Sequence, residues 1–236
     1  TNSVGSSMNE VTAIFCDRNN PEECSQELEK YLIEGKWVQL LAKKDAKERP
    51  IAKDIIAKEA GVIIRSGGSL GSHRQCLHSC SNLDMSGAAS AQWLNAEGLE
   101  PRRGHIINTL PLHHVSGLLP WWRSRCWGAE HFWVKPSMMH LPTQLEATIQ
   151  NMISMNTGPL LTALVPTQLS RLIDDSSGVK CLQLFSVIWI GGASISDNLA
   201  AKARSLKIRL APCYGATETA AMVTVQRPDE FLLGIN

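Results

Sequence analysis

At 236 residues and 44% hydrophobic content, the chain can bury the core of one large α/β domain or two small ones without covalent staples. Its 23 basic and 22 acidic residues nearly cancel, which argues against a dedicated nucleic-acid binder and against the polybasic runs that draw proteins to membranes. Seven cysteines spread from Cys16 to Cys213 do not make the dense framework of a small secreted domain and suit free thiols in a reducing, cytoplasmic compartment. The start, through Met8, is small and polar and lacks the apolar stretch of a signal peptide. It reads as a tag remnant or unstructured start reaching to about residue 10. No later apolar run has the length of a membrane span.

In chain order, the apolar spacing over residues 22–31 is helical and stops at Gly35. Residues 37–41 read as a strand, and the lysines through Lys47 as a solvated turn. A short helix is expected over residues 50–59, with Pro50 in its first turn, and this opening part to about residue 60 reads as a short N-terminal subdomain. The strand 61–64 then runs into the glycine-serine stretch 66–72, and a helix follows around 82–96, a strand-loop-helix order suited to phosphate. Strands at 105–110, 131–134, 160–165, 185–190 and 208–211 alternate with helices near Trp121 and over 144–153, 167–173 and 196–203. This rhythm specifies an α/β fold with mostly parallel strands flanked by helices. Ligands of such sheets sit beyond the carboxyl ends of the strands, so the loops after Ile64, Leu110, Ile190 and Ala211 are expected to share one mouth.

Three segments carry candidate chemistry. Ser66-Gly67-Gly68-Ser69-Leu70-Gly71-Ser72-His73-Arg74 offers unhindered amides, hydroxyls and a closing cation, which suit a polyphosphate. It is not the common P-loop, because Gly71 is followed by Ser72 rather than lysine, and a glycine-serine loop is equally a plain connector. Gly191-Gly192-Ala193 closes a strand with residues that let backbone lie against a planar ring, or simply turn. Tyr214-Gly215-Ala216-Thr217-Glu218, entered through Cys213, places an aromatic face, a hydroxyl and a carboxylate within five positions, for base, phosphate and magnesium (Mg2+) respectively. His73, Cys76, His78 and Cys80 lack a second ligand pair at zinc spacing, as does the His113-His114 pair.

Taken in this order, the three segments resemble the motifs of the adenylate-forming (AMP-binding) superfamily of acyl-CoA ligases, and the register continues through His78-Ser79-Cys80-Ser81-Asn82-Leu83. Within it, Leu110-Pro111-Leu112-His113-His114-Val115-Ser116-Gly117, Leu164-Val165-Pro166-Thr167-Gln168-Leu169 and Gly191-Gly192-Ala193-Ser194-Ile195 are similar to the o-succinylbenzoate-CoA ligase family. The resemblance covers residues 62–234 and implies a large N-terminal adenylate-forming domain, with the C-terminal lid absent from this chain. The activity it implies is ATP-dependent conversion of 2-succinylbenzoate to an acyl-adenylate and then a CoA thioester, in menaquinone or phylloquinone biosynthesis. Without a lid both steps are expected to be slow, the second most of all.

Carried over by register, the resemblance implies that Ser66, Gly67, Gly68, Ser69 and Gly71 hold the β- and γ-phosphates of ATP. Gly191, Gly192, Ala193, Cys213, Tyr214 and Gly215 would surround the adenine nucleotide. Arg74 and Thr217 would neutralise the reacting phosphate, and Glu218 would hold magnesium. His114 would line the acyl pocket, and Ser116 with Arg123, seven residues further on, would hold the aromatic dicarboxylate. The alternative for Arg123 is a surface charge beside Arg125 on an aromatic helix flank. Leu70 stands where relatives have a hydroxyl residue, Arg74 where they have lysine and His73 where they have proline, so one phosphate donor is lost and the closing charge is kept. The implied partners are ATP, a small aromatic dicarboxylic acid and CoA, with homo-oligomerisation left open. Two other readings stay open: a different acyl- or aryl-CoA ligase, and a non-catalytic nucleotide-binding relative.

Overall fold

The computed structural model describes residues 9–46, 54–55, 59–67, 74–153 and 157–235. Two sheets organise them. The first has strand order β3-β1-β2-β4-β5, built from β1 (Asn9–Cys16), β2 (Trp37–Ala42), β3 (Asp54–Ile55), β4 (Gly61–Arg65) and β5 (Gln75–Ser79). β1, β2 and β4 run parallel, while β3 and β5 are antiparallel edges. The second has order β11-β10-β9-β8-β6-β7, from β6 (His105–Asn108), β7 (Glu130–Trp133), β8 (Leu160–Leu164), β9 (Val187–Ile190), β10 (Leu210–Ala216) and β11 (Ala221–Val225). Only β11 in this sheet is antiparallel.

The period-two alternation of the central strands decides where the helices pack. One face of the second sheet, with Ile107, Leu160, Leu164, Ile188 and Ile190, is covered by α4 (Pro142–Ile153), α5 (Pro166–Ile173), α6 (Ser176–Gln183), α7 (Asp197–Ser205) and α8 (Pro228–Leu233). The alternate residues Ile106, Leu161, Val187 and Trp189 point the other way, onto Leu94 of α2 (Cys80–Ala96) and Trp127 of α3 (Val115–Trp127). The first sheet lays Ile14, Val38, Val62 and Ile64 against Leu83 of α2, Leu118 and Trp122 of α3, and Leu28 of α1 (Pro21–Ile33). Helices α2 and α3 therefore lie between two sheets, which explains why α3 is apolar almost all round and buries three tryptophans. Among the described residues no helix is long and apolar enough to cross a membrane, and all seven cysteines are free.

Several expectations need correction or extension. The helix expected over residues 50–59 is not formed where the chain is described: Asp54–Ile55 is a short strand pairing with Asn9 and Glu10. Completing the open edge of β1 outweighs a short stretch of helical spacing, and Ile55 is β-branched. The glycine-serine loop does not lead straight into a helix. It joins β4 to the antiparallel β5, with Arg65 opposite Gln75 and the Ser66 amide donating to the Arg74 carbonyl at 2.8 Å. The first sheet thus continues past residue 60. The strand expected to end at Ala211 runs on to Ala216, so Tyr214-Gly215-Ala216 is itself strand. Helices α6 and α8 and strands β1 and β11 have no counterpart in the periodicity. The polar start through Met8 lies outside the described residues, whereas Asn9 and Glu10 already belong to β1.

Candidate nucleotide and acid site

The expected loops do share one mouth. A cavity of about 750 Å³ opens at the carboxyl ends of β6, β8 and β9 and beside the β4–β5 hairpin. Ser66, Gly67 and Arg74 line it from the hairpin, and His114, Ser116 and Arg123 from the loop after β6 and from α3. Gly191 and Gly192 line it from the turn after β9, and Cys213, Gly215, Thr217 and Glu218 from the end of β10. Gly68, Ser69 and Gly71, with Leu70 and His73, lie outside the described residues. Ala193 and Tyr214 do not line the cavity; Tyr214 is 72% exposed. Leu119, Pro120, Trp189 and Met222 are lining residues that sequence patterns did not single out.

Local structure explains the geometry of each wall. Period-two alternation on β10 turns Cys213 and Gly215 to the cavity and Tyr214 to solvent, and the pairing with β11 slips between Tyr214 and Gly215, leaving Val223 of β11 as the extra residue of a bulge. The next turn is held by His78 of β5, whose Nε2 lies 2.7 Å from the Thr217 carbonyl and ties the hairpin to the Thr217-Glu218 corner. At the other turn Gly192 has φ +83°, which favours glycine, and a Cβ on Gly191 would lie 2.9 Å from the Cys213 sulfur, so any side chain there would have to displace Cys213.

The loop after β6 is shaped by Asn108. Its Nδ2 donates to the Gly117 carbonyl at 2.8 Å and lies 3.1 Å from Nε2 of His131, and its Oδ1 accepts from the Leu110 amide at 3.2 Å. These bonds fold the 109–114 segment over the start of α3 and aim His114 and Ser116 inward. Pro120 lies inside α3 and has no N–H, so the Ser116 carbonyl loses its usual intrahelical donor on the cavity side. His114 is exposed on the cavity side, and the surrounding protein removes part of its hydration. That desolvation, ahead of Arg18 and Lys44, keeps it below the usual histidine range and neutral at pH 7.

Arg123 sits at the inner wall. It is 4% exposed, and among the described residues its Nε has no hydrogen-bond acceptor. Its Cζ lies 5.1 Å from the centroid of the Trp189 ring. Burial pulls its pKa down to about 10, so the guanidinium stays charged at neutral pH. Arg125 instead points outward, pairing with Glu29 at 3.1 Å and lying over Trp121 at 4.9 Å. Of the two arginines of this helix flank, Arg123 faces the cavity.

Two histidines beside the site make folding sensitive to acid. Burial, then the charges of His114, Arg18 and Lys44, push His113 down to about 3, and burial pushes His131 down to about 4. His131 must also be neutral to accept from the Asn108 amide. Both folded values lie below the unfolded one, so the unfolded chain binds more protons. Stability is then full above about pH 6.5 and is lost as pH falls toward the folded values. Urea unfolding is expected to show a loss on the order of 2 kcal/mol per histidine between pH 6.5 and 5, and a flat profile over that interval would contradict it.

Fold and cleft together define an α/β body of the adenylate-forming type. The AMP-binding enzyme family profile matches residues 8–234, and the chain belongs to that family. Over 121 residues, 51% of this chain and 23% of the relative, it is 32% identical to the 2-succinylbenzoate–CoA ligase of Escherichia coli (strain K12). Among solved structures it is similar to O-succinylbenzoate coenzyme A synthetase from Bacillus subtilis in complex with AMP, with TM-score 0.70 and 17% identity over 94% of this chain and 64% of that one. The same enzyme in complex with ATP and magnesium ion matches with TM-score 0.60 and 17% identity over 92% and 47%. At these identities the structural matches establish the fold. The chain spans less than two thirds of the length of each of these relatives.

Proposed function

We propose that the chain is the nucleotide- and acid-binding body of an ATP-dependent acid–thiol ligase, with 2-succinylbenzoate as the acid and CoA as the eventual acceptor, in menaquinone or phylloquinone biosynthesis. The observation that carries this reading is Arg123: a buried guanidinium with its Nε unmet, in the wall of the same cavity that Gly191-Gly192 and Thr217-Glu218 bound. A charge taken out of water with no partner is costly, and a ligand carboxylate relieves that cost. One acid group would rest on Arg123 and Ser116 while another is presented toward the nucleotide. The relatives solved with AMP and with ATP and magnesium ion support the nucleotide part.

In the reaction, a carboxylate oxygen of the acid attacks the α-phosphorus of ATP. The new P–O bond forms as the bond to the bridging oxygen breaks, and pyrophosphate leaves with the electron pair. The thiol sulfur of CoA then displaces AMP from the carbonyl carbon and forms the thioester. The protein's task in the first step is to bring two anions together, so positioning and charge compensation dominate. Gly67 and the Ser66 hydroxyl would meet the distal phosphates, Arg74 and Thr217 the reacting phosphate, and neutral His114 the acyl chain without adding charge. Among the described residues no three His, Cys, Asp or Glu side chains gather around a point, so Glu218 would meet magnesium as a single carboxylate. That donor set fits an ion that keeps its waters and takes its remaining ligands from phosphate oxygens. Bound there, magnesium would supply charge neutralisation of the triphosphate.

The test is exchange of labelled pyrophosphate into ATP. Exchange is expected to require 2-succinylbenzoate and magnesium, and Glu218→Gln is expected to lower it by about 100-fold, the cost of one transition-state electrostatic contact. Exchange that proceeds equally well with monocarboxylic acyl substrates would point instead to a different acyl- or aryl-CoA ligase. Absence of ATP binding would overturn the reading.

A further inference from the structure

Buried arginines are ordinarily neutralised by a carboxylate, which occupies the in-plane N–H fork. Arg123 has a different neighbour. Its guanidinium lies over the ring of Trp189, 5.1 Å from the centroid, and its Nε meets no acceptor among the described residues. An aromatic face attracts a cation through its quadrupole and offers no carboxylate oxygen for the N–H fork. This cation–π contact therefore holds the charge in place without supplying a hydrogen-bond acceptor to its N–H donors. The tryptophan is itself fixed: it lies on β9, two residues before Gly191, is 3% exposed, and packs against Trp93 of α2 with ring centroids 6.0 Å apart at 47°. Its own Nε1 is buried without an acceptor among the described residues, so both members of the contact have an unmet donor there. Trp189 also lines the cavity, beside the apolar side chains of Leu119 and Met222.

From this arrangement we infer that Trp189 is a specificity-determining positioning residue: it holds the Arg123 fork open toward the cavity and selects an acid with a second carboxylate beside an aromatic ring. The inference rests on the reading of Arg123 as the acid-binding residue and adds the device that makes a buried, uncompensated arginine available to substrate. Replacing Trp189 by leucine keeps an apolar side chain in the sheet but removes the quadrupole, and the guanidinium is then free to turn toward other acceptors. Phenylalanine restores a face of weaker pull.

Calorimetric titration of 2-succinylbenzoate, of 3-benzoylpropionate (which lacks the ring carboxylate) and of ATP with magnesium tests this on the whole chain. Trp189→Leu is expected to weaken 2-succinylbenzoate about tenfold, the equivalent of one desolvated cation–π contact. Trp189→Phe should recover most of that loss, and 3-benzoylpropionate and ATP should bind as to the unsubstituted chain. In an Arg123→Met background, Trp189→Leu should have no further effect on the dicarboxylate. Equal losses for both acids, or additive losses in the double variant, would overturn the positioning role and leave Trp189 a packing residue. If the unsubstituted chain binds ATP but not 2-succinylbenzoate, the dicarboxylate reading itself falls. If it binds both and Trp189→Leu binds the dicarboxylate unchanged, the inference alone falls.

Discussion

Arg123→Met is expected to weaken binding of 2-succinylbenzoate by at least about 100-fold while leaving the fold as stable as before or more stable. The two effects have opposite signs because the side chain is useful only when an anion is present. Arg123 is 4% exposed, its Nε meets no acceptor among the described residues, and its partner is an aromatic face, not a carboxylate. A methionine of similar length fills the space between α3 and β9 without a desolvation cost, and replacing an uncompensated buried charge by an apolar chain is commonly neutral or stabilising by about 1–4 kcal/mol. With the acid bound, truncating one partner of a desolvated charge pair costs about 2–5 kcal/mol, the origin of the expected loss. Arg123→Lys should fall between, keeping charge but losing the planar fork. Arg125→Met is the control, since Arg125 is directed toward Glu29 and should not affect the acid. Titration of the acid, together with thermal unfolding in its absence, separates the outcomes. A parallel fall in binding and stability would make Arg123 structural, and unchanged binding would remove it from the site.

The second large effect concerns the backbone that carries the site. Gly117→Ala is expected to destabilise the protein by about 3 kcal/mol or more, in the range of strongly overpacked positions. A Cβ at this position would lie 2.1 Å from the Pro111 carbonyl oxygen, 2.4 Å from its carbon and 2.6 Å from the Leu110 oxygen. These are backbone atoms, and the Leu110 amide is itself bonded to Asn108 Oδ1, so the segment cannot easily move aside. Relief requires shifting the start of α3, which carries Ser116 and aims His114. For a chain of this size the expected fall in melting temperature is about 6–12 °C, at about 2–4 °C per kcal/mol. Gly98→Ala is the contrast: its φ is +74° with nothing within 4 Å of the added atom, so only conformational strain of about 1 kcal/mol is at stake. Equal melting of the two variants would show that the 109–114 segment gives way.

The loops of the cleft were legible because short-range chemistry specifies them. Gly191 and Gly192 mark a tight turn, the second at positive φ, and the residue types of 214–218 and 113–116 identify the segments whatever surrounds them. Alternation of long apolar runs sufficed for a mostly parallel sheet flanked by helices. Other elements were not legible. In β5 the residues turned inward, Cys76 and His78, are less apolar to the eye than Leu77, which is 48% exposed, so period-two burial was hidden and the hairpin read as a loop before a helix. Helix α6 owes its start to Asp175, whose side chain accepts from the Ser177 and Gly178 amides, and its short apolar face forms only against α4 and α5.

The amino-acid sequence by itself determined the family-type loops, their order and the strands from which they emerge, since each depends on residues adjacent in the chain. Only the tertiary structure decided which of them act together. It turned Tyr214 to solvent between two strand residues that face the cavity, and it turned Arg123 rather than Arg125 inward. It also set Trp189, from a strand 66 positions beyond Arg123 by the chain numbering, beneath the guanidinium. The physical reason is burial: the direction of a side chain on an apolar helix, and the charge state and free donors it keeps there, are settled by what packs against it from distant parts of the chain.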